Sequence, residues 1–208
     1  MKSSISNIEI FYHLSIKPNK AVKLILSLDE DVLKQEAIKE WKSDKFSNII
    51  LQIETILRKM NSENELLNQL SLFRLNIILK ILQHASFNGR MNALNELNKL
   101  IKSMYSTIYQ PHTSDERFEH ILSWIKNNEV LSIVLKENLH QPQYVEKVEK
   151  LVRFMVKSNG LTNEDLDRLW DSQIGKHEAI VTNIHDLLAK LAYDFNQTQL
   201  HHLFDCFQ

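Results

Sequence analysis

Glycine, proline and cysteine are scarce in this chain of 208 residues, which contains 3 Gly, 3 Pro and 1 Cys. Average proteins contain about 7% glycine and about 5% proline, so few positions here suit tight β-turns. This shortage favours helices joined by short connections. The single cysteine, Cys206, excludes an internal disulfide and fits a reducing compartment, and we therefore expect a cytoplasmic location.

No strong net charge, no signal peptide and no bilayer-length apolar run are visible in the sequence. Its formal net charge is −1, so bulk electrostatics predict neither nucleic acid nor an anionic membrane as a partner. Residues 1–7 are polar, and no apolar segment of a signal peptide follows them. The most apolar run, residues 66–82, is shorter than the ~20 residues that cross a bilayer, and Arg74 and Lys80 interrupt it.

That apolar run nevertheless organises the chain, because its hydrophobic residues follow a helical period and cover nearly every side. A helix of this kind must be packed against neighbours on several sides, so we predict a buried core helix. Ser62 and Glu65 have the spacing of a capping box at its start. Asn88 and Gly89 predict its end, since glycine can adopt the left-handed conformation that stops a helix.

Helical signals recur to the end of the chain. Pro142 fits the first position of a helix, and Thr162 and Asn196 fit N-cap positions. Residues 130–135 have the composition of a strand, but a lone strand would have no partner, so we predict a helix there. The fold class is therefore all-α.

The spacing of the helix starts, roughly one helix pair per 35–45 residues, predicts a HEAT- or armadillo-like α-solenoid of about a dozen helices. We expect residues 1–208 to form a single helical-repeat segment. No internal self-similarity aligns the repeats, and a compact helical bundle is the alternative.

Residues that could carry chemistry are few. Residues 175–181 share three letters with a zincin helix, but Val181 stands where the second histidine would be. His185 lies two turns beyond His177, about 12 Å along a helix, which is too far to share one ion. We interpret His177 as a capping or exposed histidine.

His201, His202 and Cys206 lie within two turns of one another near the end of the chain. His202 and Cys206 could meet, yet two ligands do not complete a zinc site. As a nucleophile, Cys206 would need a base and an oxyanion hole, and almost no chain follows it. We expect no catalytic residue, no metal site and no cofactor.

A possible protein-binding surface is formed by Asn88, Asn92, Asn95 and Lys99, which recur at helical spacing. They fall on the side opposite the apolar residues Leu94, Leu97, Ile101 and Met104. A carboxamide both donates and accepts hydrogen bonds, which suits contact with the main chain of an extended peptide. The alternative is a solvated face in an asparagine-rich sequence.

Several long segments have a more specific character. They are FNGRMNALNELNK at residues 87–99, LSIVL at 131–135, LHQPQYVEK at 139–147, GKHEAIV at 175–181, HDLLAKLA at 185–192, QL at 199–200 and HLFDCF at 202–207. In this order they closely resemble the fat facets (FAF-X type) family of ubiquitin carboxyl-terminal hydrolases. The resemblance is clear from about residue 87 to residue 208 and weak before residue 66.

This resemblance implies an armadillo-like region of a very large cysteine-type deubiquitinase, far from the catalytic domain. The family's active-site cysteine does not match Cys206, so the segment is expected to be non-catalytic. It would position substrates or partner proteins, and it would contact other proteins and neighbouring repeats of a longer chain. One alternative is a free-standing adaptor that binds a partner helix or extended peptide, and another is a small hydrolase using Cys206.

The C-terminal end, finally, has the composition of a cut through a longer protein. The apolar stripe of Leu200, Leu203, Phe204 and Phe207 is followed by no polar tail. The end of a helical-repeat array exposes the apolar surface that the next repeat would cover. We therefore predict that this stripe is only partly covered.

Overall fold

The computed structural model describes residues 64–106 and 114–207, together with positions 23, 52–54 and 57. Every regular element in these described residues is helical, which confirms the all-α prediction. A short 3-10 helix, Ala192–Asp194, lies near the end of the chain. In chain order the α-helices described are α1 (Asn64–His84), α2 (Phe87–Ser106), α3 (Ser114–Asn127), α4 (Val130–Leu135), α5 (Pro142–Lys157), α6 (Asn163–Asp171), α7 (Glu178–Leu191) and α8 (Gln197–Asp205).

The chain divides into two units, Met1–Asn92 and Ala93–Gln208. In the first unit, α1 is the core helix that its composition predicts. Its buried apolar residues occupy several sides of the helix, although Leu72 remains 43% exposed. None of the described helices is both long and apolar enough to cross a membrane. The buried set on α1 comprises Leu67, Leu70, Phe73, Leu75, Ile77, Ile78, Ile81 and Leu82.

The predicted end of this core helix is wrong by about one turn. α1 ends at His84, and Gly89 lies in the first turn of α2 without the left-handed backbone that the sequence suggests. Glycine is required there by a close approach, since a Cβ at Gly89 would lie 2.6 Å from the Cβ of Ala85. The predicted cap Ser62 lies outside the described residues.

In the second unit, alternate helices pack against one another. α6 packs against both α4 and α8, while α5 packs against α7 and the 3-10 helix. Phe118 of α3 stacks on Phe154 of α5, with ring centroids 6.0 Å apart. The helices of this unit therefore form two rows, α3–α5–α7 and α4–α6–α8, as expected when helix pairs stack as repeats.

The core between these rows is built largely from α5. Each fully buried apolar side chain contributes about 1.5–3 kcal/mol of hydrophobic stabilisation. Tyr144 also satisfies its hydroxyl, which donates a hydrogen bond to the carbonyl oxygen of Val134 at 3.2 Å. That bond joins α5 to α4. The most deeply buried residues of α5 are Tyr144, Val148, Leu151, Val152, Phe154 and Met155.

Local signals fix most helix ends in this unit. α4 is a helix, as predicted for residues 130–135, and Pro142 begins α5. Thr162 caps α6 and Asn196 caps α8, each with a reciprocal bond to the residue three positions on. These predictions from the sequence are confirmed.

The end of α5 combines two requirements in one Asn-Gly pair. Asn159, with φ of 52°, takes the left-handed conformation, and the Gly160 N–H donates to the Met155 carbonyl oxygen at 2.8 Å. These features form the Schellman motif that closes many helices. Glycine is required at position 160 for a different reason, the lack of room for a side chain. A Cβ there would lie 2.4 Å from a methyl carbon of Leu122.

Candidate functional site

The predicted protein-binding residues all lie on α2. Asn88 is exposed, Asn92 and Asn95 are half-buried, and the Lys99 side chain is 62% exposed. The ammonium of Lys99 donates to the carboxylate of buried Glu96 at 2.7 Å. The division between the two units falls between Asn92 and the next residue, so Asn88 and Asn92 belong to the first unit and Asn95 and Lys99 to the second.

The other side of α2 belongs to the core. Leu94, Leu97 and Ile101 are buried, as the predicted separation of the two faces requires. The side chain of Met104 lies outside the described residues. Helical spacing thus separates these polar side chains from the buried apolar ones.

Asn98 has a structural role in α2. Its side-chain N–H donates to the main-chain carbonyl oxygen of Lys147 in α5 at 3.1 Å. The two residues are 49 positions apart, so no sequence pattern identifies the pair. Asn98 therefore joins two helices of the second unit.

His177 caps a helix, which is the structural role that the sequence offers as the alternative to metal binding. Its Nδ1 accepts a hydrogen bond from the Ala179 N–H at 3.2 Å at the start of α7. His185 stacks on the indole of Trp170, with ring centroids 5.7 Å apart. Each histidine thus has a partner other than a shared ion.

The cluster near Cys206 contains a residue, Asp167, that no sequence pattern indicates. Nε2 of His202 lies 2.7 Å from Oδ1 of Asp167, which is on α6. One ligand atom from each of Asp167, His202 and Cys206 lies within 4.8 Å of the other two. The spacing of His202 and Cys206 is visible in the sequence, whereas Asp167 is 35 positions from His202 and is brought in by packing.

The electrostatics of this cluster oppose nucleophilic catalysis. Burial raises the pKa of the Cys206 thiol, and the carboxylates of Asp167, Asp171 and Asp205 raise it further. Catalytic cysteines sit in electropositive surroundings that lower the thiol pKa. The chemistry available to Cys206 is therefore that of a protonated thiol or of a metal ligand.

The apolar stripe on α8 is partly covered, as predicted. Leu203 is buried and Leu200 half-buried, while Phe204 and Phe207 are 65% and 59% exposed. Phe207 packs edge-on against Trp170 with ring centroids 4.6 Å apart. Exposed aromatic surface therefore remains on and just after α8.

Residues 68–208 match the sequence model of one protein family, described as the UBP24/USP9X/USP9Y ARM repeat. This match begins earlier than the resemblance at residue 87. The chain is 50% identical over 186 residues to mouse ubiquitin carboxyl-terminal hydrolase 9X, an alignment covering 88% of the chain and 7% of that protein.

Two further relatives agree with this match. The probable ubiquitin carboxyl-terminal hydrolase FAF of Drosophila melanogaster is 44% identical over 200 residues, which cover 91% of the chain and 7% of the relative. Mouse ubiquitin carboxyl-terminal hydrolase 24 is 31% identical over 182 residues, 87% of the chain and 7% of the relative. The chain thus spans about 7% of the length of these proteins.

Proposed function

The chain belongs to the UBP24/USP9X/USP9Y ARM-repeat family, and on that premise we propose that it is a non-catalytic scaffold segment of a large cysteine-type deubiquitinase. Its role is to position substrates or partner proteins for a catalytic domain elsewhere in the chain, in the cytoplasm. The observation that carries this proposal is the family match across residues 68–208. The stacked rows of helices supply the extended surface that such arrays use for binding.

The proposed division of labour has a direct test in a relative. In mouse ubiquitin carboxyl-terminal hydrolase 9X, the region matching this chain is deleted, or replaced by the chain itself. We expect deletion to leave cleavage of a small fluorogenic ubiquitin substrate unchanged and to slow release of ubiquitin from a protein conjugate. The replacement should restore the second activity. Equal loss on both substrates would contradict a scaffold role.

The purified chain alone should not cleave ubiquitin conjugates, because a scaffold segment supplies no nucleophile, base and oxyanion hole together. The measurement is turnover of a fluorogenic ubiquitin substrate, with Cys206→Ala as the control variant. Turnover above background that disappears in this variant would favour the small-hydrolase alternative.

Asn88, Asn92, Asn95 and Lys99 are the proposed binding residues, for the main chain of an extended peptide. Their support is the placement of four polar side chains at helical spacing on the partly exposed face of α2. Asparagine disfavours a helix by a few tenths of a kcal/mol relative to alanine, so Asn92→Ala with Asn95→Ala gains helix propensity, and circular dichroism checks that the double variant stays folded. A peptide that has been selected for binding to the unmodified chain should be captured less well by that double variant.

Asn98→Ala is the contrasting variant for this test. It removes the bond to the Lys147 carbonyl and should lower stability without weakening peptide capture by the folded chain. If the Asn92/Asn95 variant captures peptide as well as the unmodified chain, the polar face of α2 is a solvated surface.

The second candidate is a free-standing adaptor with the same fold and binding face but no attached enzyme. The exposed aromatic surface of α8 favours the scaffold, because further repeats would cover it. Sequencing the transcript beyond Gln208 distinguishes the two functions. A reading frame that continues to cysteine and histidine catalytic boxes supports the scaffold, and a stop codon supports the adaptor.

A further inference from the structure

Asp167, His202 and Cys206 are brought together by two helices that pack against each other. Asp167 lies on α6, His202 lies on α8, and Cys206 is the C-cap residue of α8. Positions four apart in a helix share one face, so His202 and Cys206 both point towards the same neighbour. The result is one carboxylate, one imidazole and one thiol in a single cluster.

The separations in this cluster suit a small tetrahedral ion. Zinc bonds of about 2.0–2.3 Å place neighbouring ligand atoms roughly 3.5 Å apart. In the structure the candidate ligand atoms all lie within 4.8 Å of one another, and the His202–Asp167 pair is at 2.7 Å. The widest separation is thus at most about 1.3 Å longer than the zinc geometry requires, and the His202–Asp167 separation is about 0.8 Å shorter.

We propose that Asp167, His202 and Cys206 form a zinc site, with a carboxylate oxygen, Nε2 and the thiolate sulfur as the protein ligands and water as the fourth. Zinc binds the neutral imidazole of His202 through Nε2, so the ring then carries its hydrogen on Nδ1. Cys206 binds as the thiolate, and the thiol hydrogen passes to solvent. The ion then links α6 to α8 at the end of the row α4–α6–α8.

The type of ligand selects the type of metal. Thiolate and imidazole together suit zinc and other soft or borderline transition metals, whereas calcium and magnesium prefer oxygen ligands alone. The carboxylates of Asp171 and Asp205 also act electrostatically on Cys206, so the surroundings favour a cation. All three ligands are at least partly accessible to solvent, which provides an entry path.

The supporting shell holds the two helices in place independently of the cluster. Capping boxes close the N-termini of α6 and α8, and the Gln199 side chain donates to the Leu161 carbonyl oxygen at 2.9 Å. Next to the cluster, Phe207 packs on Trp170. Ligands mounted on helices fixed in this way need little rearrangement to bind an ion.

The first experiment uses the unmodified 208-residue chain, in which Cys206 is the single cysteine, so every thiolate signal reports on it. Co²⁺ is titrated into the protein and the thiolate-to-cobalt charge-transfer band is recorded in the near ultraviolet. We expect saturation at one equivalent and displacement by Zn²⁺. Saturating Zn²⁺ should also slow alkylation of Cys206 by iodoacetamide at least tenfold.

Variants then assign the ligands. Cys206→Ser should abolish the band, and His202→Ala and Asp167→Asn should each weaken Zn²⁺ binding at least tenfold, with helical content checked by circular dichroism. His201→Ala, a change at the neighbouring exposed histidine, should leave binding unchanged. Absence of the band and of protection from alkylation, or equal weakening by His201→Ala and His202→Ala, would overturn the site. The alkylation experiment uses the unmodified chain, so it tests the zinc site even if a variant fails to fold.

Discussion

At Ala85 and Gly89, the distance between α1 and α2 is limited by single atoms. A Cβ at Gly89 would lie 2.6 Å from the Ala85 Cβ, and neither methyl group can rotate away. Gly89→Ala should gain about 1 kcal/mol of helix propensity but lose more to overpacking, typically about 1–3 kcal/mol. We therefore expect a net loss in the free energy of unfolding, measured with urea.

The matched control is the double variant Gly89→Ala with Ala85→Gly, which removes the opposing methyl group. It should be more stable than Gly89→Ala alone. A single variant as stable as the unmodified chain would show that the helices can separate at no cost.

Residues whose partners lie far along the chain were beyond sequence reasoning. Asn98 bonds to a carbonyl 49 positions away, and Asp167 reaches a histidine 35 positions away. Periodicity identifies which face of a helix is polar but not what that face meets. Only two of the three clustered ligands, His202 and Cys206, were therefore recognisable as a pair.

At the scale of elements, the sequence was more informative because capping is local. The cap residues Thr162 and Asn196 were predictable, and so were the first residue of α5 and the helical state of α4. The end of α1 was mispredicted because glycine serves both helix termination and close packing. A sequence pattern cannot separate those two uses.

Removing a cap tests this local control. Thr162→Ala deletes the oxygen that accepts from the Asp165 N–H at 3.2 Å, and it should lower stability by about 1 kcal/mol. Thr198→Ala makes the same chemical change at an exposed position inside α8 and should be nearly neutral. Thermal unfolding of both variants gives the comparison, and equal effects would show that the cap is not stabilising.

Arg153 links different secondary-structure elements instead of capping a single helix. From α5 it donates to Glu149 at 2.8 Å, to the Lys190 carbonyl oxygen of α7 at 3.2 Å and to Asp194 of the 3-10 helix. The hydrogen bond with Glu149 is the main cause that raises the pKa of Arg153, so its charge persists at every pH of interest. This side chain is 29% exposed, which limits screening by solvent.

Arg153→Met should therefore lower the free energy of unfolding by about 1–2 kcal/mol, because a hydrogen bond to a charged group is worth more than a neutral one. Arg153→Lys should recover only part of this, since an ammonium cannot reproduce the planar fork. Lys150→Met, at an exposed position of α5, is the control and should have little effect. If the loss in Arg153→Met matches the control, the three contacts do not stabilise the packing of α5 on α7.

At the scale of the whole molecule, the ARM-repeat family match agrees with the two rows of alternate helices in the second unit. The all-α class and the repeat type followed from sequence because scarce glycine and proline and regular helix starts are properties of the entire chain. The rows themselves did not, since helix order along the chain does not specify which helices stack. Packing places α4 beside α6 and α6 beside α8, each skipping one helix.

The last helix of the row α4–α6–α8 presents its aromatic outer side to solvent, with Phe204 65% exposed. Exposed apolar surface of this kind promotes association between copies. Phe204→Ser should therefore weaken self-association, measured by sedimentation across a range of concentrations, and leave the melting temperature nearly unchanged. Tyr193→Ser is the control, because Tyr193 is 95% exposed but lies in the 3-10 helix, outside that row.

Extending the chain beyond Gln208 with the following residues of a relative should cover Phe204, and thereby raise the melting temperature or suppress association. If neither changes, α8 is a natural cap, and the partly covered stripe is part of a finished surface.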